Sequence, residues 1–205
     1  MTIDHTRILI IEDEALIAEE IRSTLQLFGY HVVGIVMNGD RALDAINNLR
    51  PSLVFLDINI KGSLTGIDIA HIIRKRYSLP FLFLTALSDA ETLEKARETM
   101  PYGYIVKPFN DNTLKANIEM ALFKYGREQQ RASLSKEYIE KRYRTSLSER
   151  EYGILTAFAK GSSYKKTADT LCISVNTVKT YQKKLYQQFN VHNKAALLQK
   201  LFNNP

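Results

Sequence analysis

Three short runs of this chain are apolar at every consecutive position: Ile8–Ile11, Leu53–Leu56 and Phe81–Leu84. A strand with one wet face alternates apolar and polar residues. A strand covered on both faces does not, so these runs read as interior strands of a parallel sheet flanked by helices. The full strand set is Arg7–Ile11, His31–Met37, Leu53–Leu56, Phe81–Leu84 and Tyr104–Val106. Between the strands lie amphipathic stretches with helical spacing, Glu14–Leu27, Asp40–Leu49, Gly66–Arg76, Ala90–Thr99 and Asn110–Lys124. Five β-then-α units predict a doubly wound α/β domain, with right-handed crossovers limiting the topology.

That domain uses about 125 of the 205 residues, and the charge changes where it ends. Residues 1–125 carry 13 Lys and Arg against 16 Asp and Glu, a net −3; residues 126–205 carry 15 against 6, a net +9. An acidic module followed by a basic one points to a polyanion partner for the second. Residues 126–145 are almost all polar and read as a linker, part helical, with limited burial. No apolar run approaches the ~18 residues of a membrane-spanning helix. The first ten residues hold no apolar segment of signal-peptide length, so a cytoplasmic location is expected. A single cysteine, Cys172, forbids an internal disulfide, and with the four scattered histidines it shows no zinc-ligand spacing.

In a doubly wound sheet, function gathers at the carboxyl ends of the strands. The first strand ends in Glu12-Asp13-Glu14, the third in Asp57, the fourth in Thr85 and the fifth in Lys107-Pro108. Clustered carboxylates repel and need a positive charge between them. A hard divalent cation such as Mg²⁺ meets that need with oxygen ligands. With Lys107 it would offset phosphoryl charge, Thr85 would donate to a phosphoryl oxygen, and an Asp carboxylate is a competent covalent acceptor. Singly, each residue has a plainer use as a helix-terminal acid, a turn residue or a loop. The four matched positions on one rim favour the joint reading.

These motifs, ILIIEDE, FLDIN, FLFLTA and YIVKPF, resemble those of the two-component receiver domain over residues 7–124. The resemblance implies that Asp57 is the phosphoacceptor. It implies Mg²⁺ held by Glu12, Asp13, Asp57 and the backbone carbonyl of Asn59. It makes Thr85 the switch hydroxyl, Lys107 the phosphate-binding lysine and Tyr104 the switch aromatic, and it predicts a cis Lys107-Pro108 peptide. Two positions that tune the approach of water in receivers fall on Asn59 and Leu87. The chain departs from the family in the loop after Asp57, where Lys61 stands in place of the usual Pro and the loop is a residue longer. Met100-Pro101-Tyr102-Gly103 replaces the usual small residues before strand five.

The basic half has helical periodicity from Leu147 onward. Ser148-Glu149-Arg150-Glu151 is a capping box, Gly161 a helix stop, and Ser163, Ser174 and Asn193 are further N-caps. Four helices with tight turns, the middle pair a helix-turn-helix, follow from these signals. The third, Val175–Phe189, has an apolar row (Val178, Tyr181, Leu185, Phe189) and a polar face of Asn176, Lys179, Thr180, Lys183 and Lys184 suited to the major groove. The stretch ISVNTVKTYQKKLYQQFNV, with LSERE before it, is similar to the LuxR-type helix-turn-helix of NarL/FixJ-class regulators. That resemblance places Lys179, Thr180 and Lys183 at groove-facing positions. Ser163, Tyr164, Lys165, Thr177 and Lys184 flank them, Ser163 and Thr177 at capping or backbone-contacting positions. Thr167 stands where the family commonly has Ile.

The expectation is therefore a response regulator with receiver at 1–125, linker at 126–145 and helix-turn-helix domain at 146–205. A sensor histidine kinase and promoter DNA are its partners, and it forms a homodimer when phosphorylated or DNA-bound. It is not a dedicated enzyme. The alternative is a phosphotransfer or protein-interaction module whose output region does not bind DNA.

Overall fold

The structure is a computed structural model that describes residues 6–86 and 90–202. Leu87, one of the two water-tuning positions, lies outside the described residues. The chain divides into two compact units, Met1–Tyr125 and Gly126–Pro205.

The first unit holds five parallel strands: β1 (Arg7–Ile11), β2 (His31–Val36), β3 (Leu53–Asp57), β4 (Phe81–Thr85) and β5 (Gly103–Val106). Their order is β2-β1-β3-β4-β5, the flavodoxin-like arrangement. Every residue of β3 and β4 is buried, as is every residue of β1 after Arg7. The edge strands β2 and β5 are only partly covered. Unbroken apolar runs thus mark the strands with neighbours on both sides and helices on both faces.

One face of the sheet packs Ile8, Ile10, Phe55, Leu82 and Leu84 against Ala18, Ile21 and Leu25 of α1 (Ala15–Leu27) and Leu114, Ile118 and Ala121 of α5 (Asp111–Ser133). The other packs Leu9, Ile11, Val54, Leu56 and Phe83 against α2 (Ala42–Leu49), α3 (Gly66–Ile72) and α4 (Ala90–Glu98). Two helix predictions change in detail. The stretch 66–76 is α-helical only to Ile72 and continues as a π-helical turn, Ile73–Tyr77. The stretch 40–49 opens with a 3-10 turn, Gly39–Arg41.

Helix α5 continues nine residues beyond its predicted end at Lys124. A Cβ at Gly126 would meet nothing within 4 Å among the described residues, so no close approach requires glycine there, and it costs the helix its intrinsic penalty of ~1 kcal/mol. Glu128, Gln129, Gln130, Arg131 and Ala132 behind it are good helix formers.

The second unit contains α6 (Lys136–Tyr143), α7 (Glu149–Ala159), α8 (Tyr164–Thr170), α9 (Val175–Gln188) and α10 (Lys194–Phe202). The four predicted helices are α7 to α10; α6 comes from the stretch read as a linker of limited burial. Its Ile139 is fully buried in the helical core with Leu155, Phe158, Val178, Leu185 and Leu197. Tyr143 adds an edge-on ring contact to Phe189 at 5.2 Å and donates a hydrogen bond to the Lys200 carbonyl. The predicted caps form as written: Ser148 and Glu151 make a reciprocal box, Ser163 and Ser174 accept from Lys166 N and Thr177 N, and Asn193 Oδ1 accepts from Ala196 N. Gly161 adopts φ +78°, the left-handed turn that ends α7.

Candidate functional site

Parallel register brings the strand ends to one rim: Ile11 aligns with Leu56, Asp57 with Leu84, and Thr85 with Val106. Glu12, Asp13, Asp57, Thr85 and Lys107 follow from that alignment. Glu12 N donates to Val36 O, which extends the β1–β2 ladder and carries Glu12 into the interior. Lys107 N donates to Thr85 O at 2.8 Å, and the Lys107-Pro108 peptide is cis. On the far side of Asp57, α3 begins so close that a Cβ on Gly66 would stand 2.0 Å from the Asp57 carbonyl oxygen. Only glycine allows that approach. A Thr65–Asp68 capping box then starts the helix; the sequence spells it as Thr-Gly-Ile-Asp.

Glu12, Asp13 and Asp57 each offer a carboxylate oxygen, and the three lie within 4.8 Å of one another. Lys107 supplies the charge between two of them. Its Nζ is 2.7 Å from Glu12 Oε2 and 2.9 Å from Asp57 Oδ2, with Glu14 Oε1 farther off at 3.6 Å. Glu12 is fully buried and Asp57 nearly so. Burial pushes the Glu12 carboxyl up to about 7; the Lys107 hydrogen bond opposes this and the Asp57 charge reinforces it. Burial works against the Lys107 ammonium, yet its hydrogen bonds to Glu12 and Asp57 prevail and hold its pKa above the ordinary lysine value. Asp57 Oδ1 accepts from Asn59 N at 2.9 Å, which fixes the carboxylate plane.

This donor set fits a hard divalent cation. It is all oxygen, compact and net negative, and among the described residues Glu12 Oε2 has no partner beyond its Lys107 ion pair. Asn59 is exposed in the loop after β3. Thr85 is buried at the rim. Tyr104 stacks on Phe83 with ring centroids 5.8 Å apart. Its hydroxyl is buried and has no hydrogen-bond partner among the described residues. Burial raises that phenol's pKa.

One feature of the rim escaped the sequence reading. Lys61, noted only as a substitute for Pro, sends its ammonium to Asp13 Oδ2 at 2.8 Å. The signal was the charge itself, a lysine four residues beyond Asp57.

In the second unit, α9 packs on both α7 and α8 through Val178 and Leu185. Asn176, Lys179, Thr180, Lys183 and Lys184 are exposed on it, as are Ser163, Lys165 and Lys166 at the start of α8. Thr180 Oγ1 donates to the Asn176 carbonyl and Thr177 is tied to the Ser174 cap, so both are oriented by local bonds. Lys184 leans over the Tyr181 ring at 5.4 Å. Tyr164 differs from the rest of the set. It is half-buried, edge-on to Phe158 at 5.5 Å, and its hydroxyl accepts from Gln182 Nε2. Thr167 is fully buried, and its hydroxyl donates to the Ser163 carbonyl at 2.8 Å. A threonine therefore fits the usual isoleucine position without an unpaired polar atom.

Residues 8–119 match the model of the response regulator receiver domain, and residues 145–201 match that of the bacterial regulatory proteins of the luxR family. The chain belongs to the response regulators. It has a receiver followed by a LuxR-type output region. The transcriptional regulatory protein PdtaR of Mycobacterium tuberculosis is 35% identical over 119 residues, 58% of this chain and 58% of that protein. The DNA-binding response regulator MtrA of Mycolicibacterium paratuberculosis is 34% identical over 116 residues, 57% of this chain and 51% of that protein. The chain thus spans about half to three-fifths of the length of these curated relatives. Full-length FixJ from B. japonicum shares the fold over 96% of this chain and 95% of its own, with a TM-score of 0.56 and 24% identity. Among the described residues no helix is long and apolar enough to cross a membrane.

Proposed function

We propose that this response regulator accepts a phosphoryl group on Asp57 from a sensor histidine kinase and controls transcription by binding promoter DNA through α8 and α9. The observation that carries the reading is the Lys107 ammonium bridging Glu12 and Asp57, with Asp13 alongside. An Asp57 carboxylate oxygen attacks phosphorus, the bond from phosphorus to the kinase imidazole nitrogen breaks, and the imidazole leaves, taking up a proton. The products are an aspartyl phosphate and a free histidine. Glu12, Asp13, Asp57 and the Asn59 carbonyl would hold Mg²⁺, which supplies neutralisation of phosphoryl charge when bound. Lys107 then exchanges its contact with Asp57 for the phosphoryl oxygens, and Thr85 donates to another of them. Tyr104 follows Thr85, and the balance between two receiver states shifts by a few kcal/mol. The chain itself is a switch with slow loss of phosphate and no dedicated enzymatic turnover.

On the output side, Lys165, Lys179, Lys183 and Lys184 supply the phosphate-directed, salt-dependent attraction. Asn176, Lys179, Thr180 and Lys183 face the groove, while Ser163 and Thr177 stand at the helix starts beside the backbone. Tyr164 contributes mainly by holding α8 on the core, given its contacts with Phe158 and Gln182. Pairing of two copies on two half-sites would multiply a weak single contact. A cytoplasmic location suits a kinase-to-promoter relay.

The test is DNA binding by the whole chain with Mg²⁺ and beryllofluoride, against a pool of promoter fragments at fixed salt. Tighter binding with the phosphoryl mimic, lost in Asp57→Asn and in Lys179→Ala/Lys183→Ala, is the expected result. Mimic binding with no DNA effect would replace this reading by that of an interaction module. DNA binding indifferent to the mimic would uncouple Asp57 from the output.

A further inference from the structure

The three rim carboxylates are served by two ammonium groups of different character. Lys107 reaches Glu12 and Asp57 and is only 11% exposed. Lys61 reaches Asp13 and is 78% exposed, while the Asp13 side chain is 11% exposed.

The Lys61 contact is prepared by its backbone. Ile60 on one side is buried in the apolar layer beneath the sheet. The Lys61 carbonyl accepts from Gly39 N at 2.7 Å. Two residues on, Ser63 gives both its backbone N–H and its hydroxyl to Asp40. Asp40 N in turn donates to Asn38 Oδ1 at 2.8 Å. The loop after β3 is thus bound to the loop after β2 at Lys61 and again two residues beyond it, while Ile60 anchors it on the other side. An exposed lysine on a free loop spends little time in one ion pair, because holding it costs side-chain entropy. Here the backbone share of that ordering is already met by the fold.

We propose that Lys61 is a positioning residue that sets the divalent-cation affinity of the acidic rim. In the absence of a cation its ammonium neutralises Asp13. Coordination by Asp13 then places a second positive centre on the same carboxylate, so the ammonium opposes it. Lys107 answers the two buried carboxylates and stays; Lys61 answers the most accessible one and yields. The assignment rests on Glu12, Asp13 and Asp57 being the cation site.

The experiment is a Mg²⁺ titration of the full chain read by ¹H–¹⁵N amide shifts at the rim, at low and high ionic strength. The proteins are wild type, Lys61→Gln, Lys61→Arg, Asp13→Asn and, as a charge control on α5, Lys124→Gln. Lys61→Gln is expected to bind Mg²⁺ roughly three- to tenfold more tightly at low salt, with the gap narrowing as salt screens it. Lys61→Arg should stay near wild type and Lys124→Gln should not move. A Lys61→Gln titration that superimposes on wild type, while Asp13→Asn weakens binding, overturns the role of Lys61 alone. Mg²⁺ shifts that survive Asp13→Asn unchanged overturn the cation site and this assignment with it.

Discussion

The Lys107 ammonium lies 2.9 Å from Asp57 Oδ2 and is shared with Glu12 Oε2 at 2.7 Å. One buried cation therefore holds two carboxylates that would otherwise repel. Removing one member of such a group is costly because a charge is left without its partner.

Lys107→Met should lower the stability of the receiver by about 3 kcal/mol, less whatever Glu12 recovers by taking up a proton. Urea unfolding with and without Mg²⁺ checks this. The cation should restore more stability to the variant than it adds to wild type. An equal gain in both proteins would mean that Lys107 does not compensate the rim.

Tyr104→Phe removes a buried hydroxyl that has no hydrogen-bond partner among the described residues. The substitution should be neutral or stabilising by up to ~1 kcal/mol, since it removes an unmet polar group and keeps the stack on Phe83. A loss of more than ~1 kcal/mol in the same denaturation assay would show a hydrogen bond that this arrangement lacks.

Ile139→Ala should destabilise the helical unit by about 2–5 kcal/mol, the range for opening a cavity in a packed core. Tyr138→Ala, at a neighbouring partly exposed position, should change stability far less. Protection of the α9 amides from hydrogen exchange separates the two. Equal, small effects would return residues 136–143 to the status of a tether.

The acid limb of stability carries a contribution from Glu151. Its carboxyl accepts from the Ser148 hydroxyl and backbone N–H, which hold it below the ordinary 4.5. A native pKa below the unfolded one stabilises the fold above that ordinary value. The contribution fades as pH falls through the lowered native value. Between those limits wild type should lose stability faster than Glu151→Gln, measured at the first-turn amides of α7. Ser148→Ala should cost about 1 kcal/mol at neutral pH. Parallel pH profiles for wild type and Glu151→Gln would sink the assignment.

The features legible in the sequence were those set by neighbours along the chain. Ser148 and Glu151 are three residues apart and find each other in any helix that starts there. The unbroken run Phe81–Leu84 needs only a covered strand. The rim followed because strands that run parallel all bring their carboxyl ends to one side, so Asp57 and Lys107 meet although they stand 50 positions apart in the chain. The features not legible depend on closure between remote loops or on a single apolar residue. Lys61 finds Asp13 because residues 38–40 bind residues 61–63, and neither segment shows a periodic signal. Helix α6 hangs on Ile139 within a stretch of charged residues, too little apolar face to mark it as core.

The burial of Ile139 also sets where the LuxR-type half can be cut away and still remain whole. The LuxR-family match begins at residue 145, but the helical core reaches back past it to the Ser135 cap, whose hydroxyl accepts from Tyr138 N. Glu140 accepts from Leu147 N, and Lys136 pairs with Glu149 at 2.6 Å, so the segment before the match is sewn to the first helix within it. Any transplant of this module onto another receiver, by recombination or by design, has to carry residues from 135 onward. A junction placed at the family boundary would leave a hole where Ile139 sits and two helix-start contacts undone.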